Sequence, residues 1–222
     1  MSKRIWYVLI LIMLVLTSCA PNAPYDITTE EIIVDMFPNV GYSISRRVSE
    51  REGGYMFYPQ LFLPSNRDFE EEFSQHIYEN ILIYGGRGDY KIMLQTENFL
   101  SIRFLRWRDT GAHVRRFIQT VNVDMEQEQI LRLSDIVDVD EVIAFSENLN
   151  IGFRQANGVT IFRPSEYNHL DTLHWRPWHL TPTSLVLSAG QPQAFGGFAV
   201  FEIPFIEIVD YLTDDFRSRM RL

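Results

Sequence analysis

Hydrophobic residues recur with helical spacing over one segment of the chain. Four apolar residues stand four positions apart: Phe69, Phe73, Ile77 and Ile81. Side chains at this spacing lie on one face of an α-helix, so the pattern predicts an amphipathic helix. Ser65 is a suitable N-cap residue, and Gly85-Gly86 ends the helix after Tyr84. We expect the apolar face to pack on the rest of the domain.

Two segments after this helix, residues 90–95 and 100–105, alternate between apolar and polar residues. Such a period of two predicts strands with one buried face, and the short connections between most of them predict antiparallel hairpins. The expected strands cover residues 32–37, 40–48, 55–58, 90–95, 100–105, 112–124 and 130–133.

The second half of the chain is less regular. A second helix is expected near residues 140–150, an irregular connection over 151–180, and late strands at 185–187 and 198–203. Pro204 is well suited to open a final helix, because proline has no N–H to leave unpaired there. Helices beside antiparallel strands predict an α+β fold. We expect an antiparallel sheet of hairpin-connected strands packed against two to three helices.

The N-terminus has the pattern of a secretory signal. Lys3 and Arg4 precede twelve apolar residues, 5–16, which are too few to span a bilayer as a helix. The following Leu16-Thr17-Ser18-Cys19 resembles the bacterial lipoprotein box. That resemblance implies a signal peptide of residues 1–18, palmitate or a similar lipid on Cys19, and a place on the extracytoplasmic face of the cell membrane.

These patterns divide the chain into four parts. After the signal peptide, residues 19–31 form a short polar tether, and residues 32–213 form an α+β domain with a possible boundary between 125 and 126. Residues 214–222 are expected to be a polar tail.

Charge narrows the range of partners. The chain carries a formal net charge of −9, and 46% of its residues are hydrophobic. A folded acidic protein of this kind lacks the basic surface that nucleic-acid binding requires. Five arginines nevertheless lie close together, which allows a local site for a polyanion, although strand alternation divides them between two faces: Arg103, Arg106, Arg108, Arg115 and Arg116.

Several side chains are candidates for chemistry or binding. The histidines at 169, 174 and 179 are spaced by five, which does not favour a metal site, and no cofactor motif is present. Amphipathic rings crowd the same stretch, where Tyr167, Trp175 and Trp178 are candidates for ligand binding or for anchoring the connection to the core. His113 is a further candidate, with a structural hydrogen bond as its alternative. We predict no catalytic residues.

Motifs spread over residues 45–212 resemble a family of extracytoplasmic domains of unknown function. They include Gly111-Ala112-His113, Val121-Asn122-Val123-Asp124 and Phe201-Glu202-Ile203-Pro204-Phe205. The chain is similar to the DUF3298 and DUF4163 type, found in RsiV-type anti-sigma factors and in the non-catalytic part of PdaC-type polysaccharide deacetylases. The resemblance implies an α+β fold without known catalytic residues, and in the RsiV branch a receptor for lysozyme.

The leading hypothesis is therefore a non-enzymatic lipoprotein that binds a cell-envelope polymer, such as peptidoglycan, or a protein such as lysozyme. Two alternatives stay open. One is an envelope hydrolase in which His113 acts with a carboxylate such as Asp124 or Asp135. The other is a structural lipoprotein of envelope assembly.

Overall fold

A computed structural model describes the folded domain in several ranges. They are residues 40–51, 54–109, 111, 114–138, 140–141, 144–145, 147, 177–190 and 198–222, all within the unit Phe37–Leu222. Cys19 and the expected strand at 32–37 lie outside these ranges. The candidate residues His113, Tyr167 and Trp175 also lie outside them.

A six-stranded sheet forms the centre of the domain. Its strands follow sequence order: β1 (Ser43–Arg51), β2 (Gly54–Phe62), β3 (Arg87–Gln95), β4 (Phe99–Asp109), β5 (Val114–Asp124) and β6 (Gln129–Ile130). Neighbours are antiparallel, except that β2 and β3 run parallel and meet at Met56 and Gly88. The expected hairpins are confirmed, while the parallel pair requires a crossover that the short connections did not indicate.

That crossover is the predicted amphipathic helix, α1 (Arg67–Asn80), followed by a 3₁₀ turn at Leu82–Tyr84. The N-cap is Asn66, one residue later than expected, and its side chain accepts a hydrogen bond from the backbone N–H of Phe69 at 3.1 Å. The apolar stripe of the helix joins a core cluster with Leu100, Ile102 and Phe104 of β4. The helix therefore covers one face of the sheet.

Gly88 allows the parallel strands to approach each other. A Cβ atom at this position would lie 2.4 Å from Sδ of Met56 and 2.8 Å from the carbonyl oxygen of Leu105. Both separations are far below van der Waals contact. A glycine is therefore needed where β3 passes between β2 and β4.

A second, three-stranded antiparallel sheet lies against the other face. Its strands are β7 (Trp178–Leu180), β8 (Ser184–Gly190) and β9 (Phe198–Pro204). Ser101 Oγ accepts a hydrogen bond from the N–H of Leu180 at 2.9 Å, which attaches β7 to β4. The expectation that 151–180 is irregular throughout is wrong for its end, because buried Trp178 and Leu180 pair with β8.

Short helices complete the C-terminus. Pro204 precedes α2 (Phe205–Ile208), a 3₁₀ turn at Val209–Tyr211 and α3 (Asp214–Met220). The predicted polar tail is wrong, because Thr213 caps α3 and Phe216 packs in the core at 1% exposure. Phe216 and the ion pair of Arg219 with Asp124 together hold this polar segment on the domain.

The described residues thus form the expected α+β architecture, with a central sheet between a helix on one side and a small sheet with short helices on the other. Residues 144–145 and 147 are helical, within the segment expected to form a second helix. In the part of the chain that the structure covers, no helix has the length and apolar character needed to cross a bilayer.

Candidate functional site

A groove of about 1040 Å³ follows the outer edge of β5. β5 pairs with β4 along its whole length, but β6 pairs only with Val123 and Asp124 on the opposite edge. Over residues 114–121, no strand among the described residues pairs with this edge of β5. We call this cavity the β5 groove; its lining includes Phe117 to Asn122 on β5 itself.

Two different walls flank the β5 groove. On one side, α1 presents Glu72, His76 and Asn80, which share a helix face because they are four residues apart. On the other side stand Pro177 and Trp178, which lead into β7. The groove therefore lies between α1 and the small sheet, beside the edge of the central sheet.

Arg106 is the most unusual side chain in the groove, because it is a buried cation without a carboxylate partner among the described residues. Its side chain is only 7% exposed. Nη1 donates to Oε1 of Gln119 at 2.5 Å, Nη2 donates to the carbonyl oxygen of Gly85, and the guanidinium carbon lies 5.7 Å from the ring centroid of Tyr84. Nε has no hydrogen-bond partner. Burial lowers the pKa of Arg106; Tyr84 acts in the opposite direction, and the neighbouring Arg108 lowers the pKa further.

Arg108 adds a second positive charge at the same end of the sheet. It lines the groove and lies directly opposite Arg115 in the register of β4 and β5. Like charges facing each other across two strands are destabilising. Neither arginine forms an ion pair with a described residue, so two cations lie opposite each other at this end of the sheet in a chain of net charge −9.

The five arginines predicted as a patch are divided as strand alternation requires. Arg106 lies on the α1 side of β4, because it follows the phase of Leu100, Ile102 and Phe104 in the helix-facing core. Arg103 has the opposite phase and acts electrostatically on His179 of β7. Only part of the predicted patch therefore belongs to the β5 groove.

Trp178 is the one predicted ligand-binding residue inside the described ranges. It lines the groove with 8% of its surface exposed. Its backbone N–H donates to Oγ1 of Thr120 at 3.2 Å, and its carbonyl oxygen accepts from Nδ2 of Asn122 at 2.8 Å. Trp178 therefore fastens β7 to β5 through its backbone, and it belongs to the lining of the groove. His113, Tyr167 and Trp175 stay predictions.

The carboxylates named for the hydrolase alternative have structural contacts. Asp124 is fully buried, with Oδ2 2.6 Å from Nη2 of Arg219. Asp135 accepts a hydrogen bond from the N–H of Arg132 at 2.7 Å in a 3₁₀ turn, Leu133–Asp135. Across the described ranges, no group of three His, Cys, Asp or Glu side chains is arranged to hold a metal ion.

Sequence reasoning did not single out the strand edge or the role of Arg106. One signal was present in the sequence. Arg106 comes two positions after Phe104, so a charged residue continues the otherwise apolar positions of one face of β4. Tyr84 and Gln119, which contact Arg106, carry no motif of their own.

Comparisons with solved structures support the fold assignment. A DUF3298 family protein from Bacteroides fragilis matches 82% of this chain and 99% of its own, with a TM-score of 0.54 and 13% sequence identity. The chain has a DUF3298-like fold. A second DUF3298 family protein, from Pseudomonas aeruginosa PAO1, matches 79% of this chain and 94% of its own, with a TM-score of 0.51 and 13% identity. No protein-family model matches the sequence, and no curated protein sequence is significantly similar to it.

Proposed function

We propose that this protein is an extracytoplasmic lipoprotein, anchored in the cell membrane through a lipid on Cys19, whose DUF3298-like domain binds an anionic polymer of the cell envelope without catalysing a reaction. The β5 groove is the binding site. The observation that carries the proposal is Arg106, a cation buried in the groove without a counter-ion among the described residues.

The energetics of buried charge support a ligand at this position. Removing an ionised side chain from water is costly unless a partner of opposite charge compensates for it. Among the described residues, Arg106 has only neutral oxygens as hydrogen-bond acceptors, from Gln119 and Gly85. A carboxylate or phosphate group in the groove would supply the missing charge. Peptidoglycan, whose stem peptides carry carboxylates, is an envelope polymer of this kind.

A basic protein such as lysozyme is the second candidate. The net charge of −9 favours it, because complementary charge speeds association. The arginines of the β5 groove do not favour a basic protein at that site, so lysozyme would bind elsewhere on the domain.

Binding to purified peptidoglycan tests the leading proposal. The full-length protein in detergent is sedimented with insoluble peptidoglycan, and Arg106→Met is compared with the wild type. Arg67→Met is the matched control, since it removes the same charge from an exposed pair with Glu71, outside the groove. We expect the wild type and Arg67→Met to sediment and Arg106→Met to stay soluble. Equal sedimentation of all three, or none above background, contradicts the proposal; immobilised lysozyme in parallel tests the second candidate.

Membrane anchoring has its own test. Cells expressing the protein are labelled with radioactive palmitate, and Cys19→Ser is the comparison. We expect label on the wild type, none on the variant, and loss of the variant from the membrane fraction. An unlabelled wild-type product that retains residues 1–18 contradicts the anchoring.

A further inference from the structure

We infer that the ligand of the β5 groove is an extended peptide bearing a carboxylate, which pairs with the edge of β5 and places its acidic group against Arg106. This inference rests on the proposed function, because it takes the β5 groove as the binding site. It adds the chemical class of the ligand and the way the main chain is recognised.

The hydrogen bonds at the start of the groove indicate which backbone groups of β5 point outward. The N–H of Leu131 donates to the carbonyl oxygen of Asn122 at 2.8 Å, on the side away from β4. Backbone groups alternate between the two edges of a strand, so those of Ile118 and Thr120 point to the same side as those of Asn122. Among the described residues, no main-chain group pairs with Ile118 or Thr120 on this side.

The space beside this edge has the dimensions of one more strand. Phe117 to Asn122 line the groove, and six extended residues span roughly 20 Å at 3.3 Å per residue. An added strand would lie about 4.8 Å from β5. Residues from both faces of β5, such as Gln119 and Thr120, border the cavity, so side chains on both faces of an added strand have room.

The chemistry of the lining favours an acidic peptide. Arg106, Arg108 and Arg132 line the groove against one acidic residue, Glu72. Aromatic residues also belong to the lining, namely Trp107, Phe117 and Trp178. Strand addition obtains affinity from main-chain hydrogen bonds and specificity from side-chain pockets. Here the pockets would select apolar residues and at least one carboxylate.

The backbone edge also distinguishes a peptide from a phosphate polymer. The edge of β5 offers both N–H donors and carbonyl acceptors. A phosphate polymer supplies acceptors for the donors and for the arginines, and it leaves the carbonyl groups unpaired. A peptide supplies both donors and acceptors in alternation, so it satisfies the whole edge.

A peptide library tests the inference directly. Random dodecapeptides displayed on phage are selected on the full-length protein in detergent, with a parallel selection on Arg106→Met. We expect enrichment of peptides with Asp or Glu among apolar residues on the wild type only. A synthetic copy of the leading peptide should bind at least tenfold more weakly to Arg106→Met, and equally well to Arg67→Met. No enrichment, or enriched peptides without an acidic residue, overturns the inference.

Methylation of the peptide backbone tests strand pairing. Two N-methylated versions of the leading peptide are made. One carries N-methyl groups on its odd-numbered residues and the other on its even-numbered residues, so that each version blocks the N–H groups of one edge of the extended peptide. We expect one copy to lose binding at least tenfold and the other to retain it, because only one edge meets β5. Equal binding of both copies overturns the pairing. If peptidoglycan binds in an Arg106-dependent manner while no peptide is enriched, the proposed function stands and this inference falls. If the protein binds soluble polyphosphate but no peptide, the inference falls in the same way.

Discussion

Asp124 and Arg219 form a buried ion pair that joins the end of β5 to the C-terminal helix, with Oδ2 and Nη2 2.6 Å apart. Asp124 is fully buried, and its Oδ1 also accepts hydrogen bonds from the N–H groups of Glu126 and Gln127. The Arg219 guanidinium carbon lies 4.8 Å from the ring centroid of Phe99. Hydrogen bonding to Asp124 raises the pKa of Arg219, so the guanidinium group stays protonated. One carboxylate therefore fixes both the β5–β6 turn and the position of α3.

Replacing this carboxylate by an amide should destabilise the domain. In Asp124→Asn, the turn keeps an acceptor oxygen, but Arg219 loses its buried partner and retains only Asp215 and Glu126. We expect the free energy of unfolding to fall by about 2–4 kcal/mol, because removing one partner leaves a buried charge poorly compensated. Urea unfolding followed by circular dichroism measures the change. Asp214→Asn is the control, since its pair with Arg217 is exposed and should contribute less than about 1 kcal/mol; equal effects of the two variants would contradict the structural role of Asp124.

Replacing Arg106 by methionine, unlike replacing Asp124 by asparagine, should leave the stability of the domain nearly unchanged. Arg106→Met keeps most of the volume of the side chain and removes a buried charge that has no carboxylate partner among the described residues. The hydrogen bonds to Gln119 and Gly85 are lost, while the cost of burying the charge disappears. We expect these effects to offset each other to within about 1 kcal/mol in urea unfolding. A loss of several kcal/mol would show that Arg106 serves stability and would weaken its role in binding.

His179 should make the domain sensitive to acid. It is 1% exposed, and burial, with a smaller effect of Arg103, lowers the pKa of its imidazole to about 4. Between pH 6.5 and 4 the unfolded chain binds a proton here that the folded domain does not. The contribution of His179 to stability is therefore constant above pH 6.5 and decreases as the pH falls to 4, by about 3 kcal/mol. In His179→Gln this part of the loss should disappear, so that urea unfolding curves of variant and wild type converge on acidification; a constant difference between them would contradict the prediction.

Gly88→Ala should separate the two parallel strands. The new methyl group would overlap Met56 and the carbonyl oxygen of Leu105, and the backbone oxygen has little freedom to move. We expect a loss of about 1–3 kcal/mol in thermal or urea unfolding. Gly41→Ala is the matched control, because nothing lies within 4 Å of a Cβ atom there. A neutral Gly88→Ala variant would show that β2 and β3 pack more loosely than described.

Local patterns in the sequence were enough to predict the elements that depend on neighbouring residues. The apolar stripe of α1 and the alternation of β4 identify those elements because the apolar residues of each share one face, in the core between helix and sheet. Phe216 shows where this reasoning fails, since Phe216 and Met220 are too few apolar residues among charged ones to establish a helical period. Its helix forms because Phe99 and Phe205 lie nearby to receive the ring, a contact between distant parts of the chain.

The candidate site was predicted only in part for the same reason. Trp178 was identified as an amphipathic ring in a crowded stretch, and Arg106 as one of five arginines. Their common cavity depends on the order of strands and on the place where β6 ends. Neither the strand order nor the end of β6 can be predicted from the spacing of residues, because strand order depends on which strand faces pack against α1 and β7.

The brevity of β6 has a consequence for how the domain can change over evolution. After Ile130 the backbone turns away into the 3₁₀ segment that begins at Leu133. A β6 strand longer by a few residues would pair with the edge of β5 along the groove and would exclude a ligand from it. Under the inferred binding mode, the length of this tight loop would control access to the edge of β5, while the side chains of the groove would select the ligand; insertions in the loop would change access without changing the core.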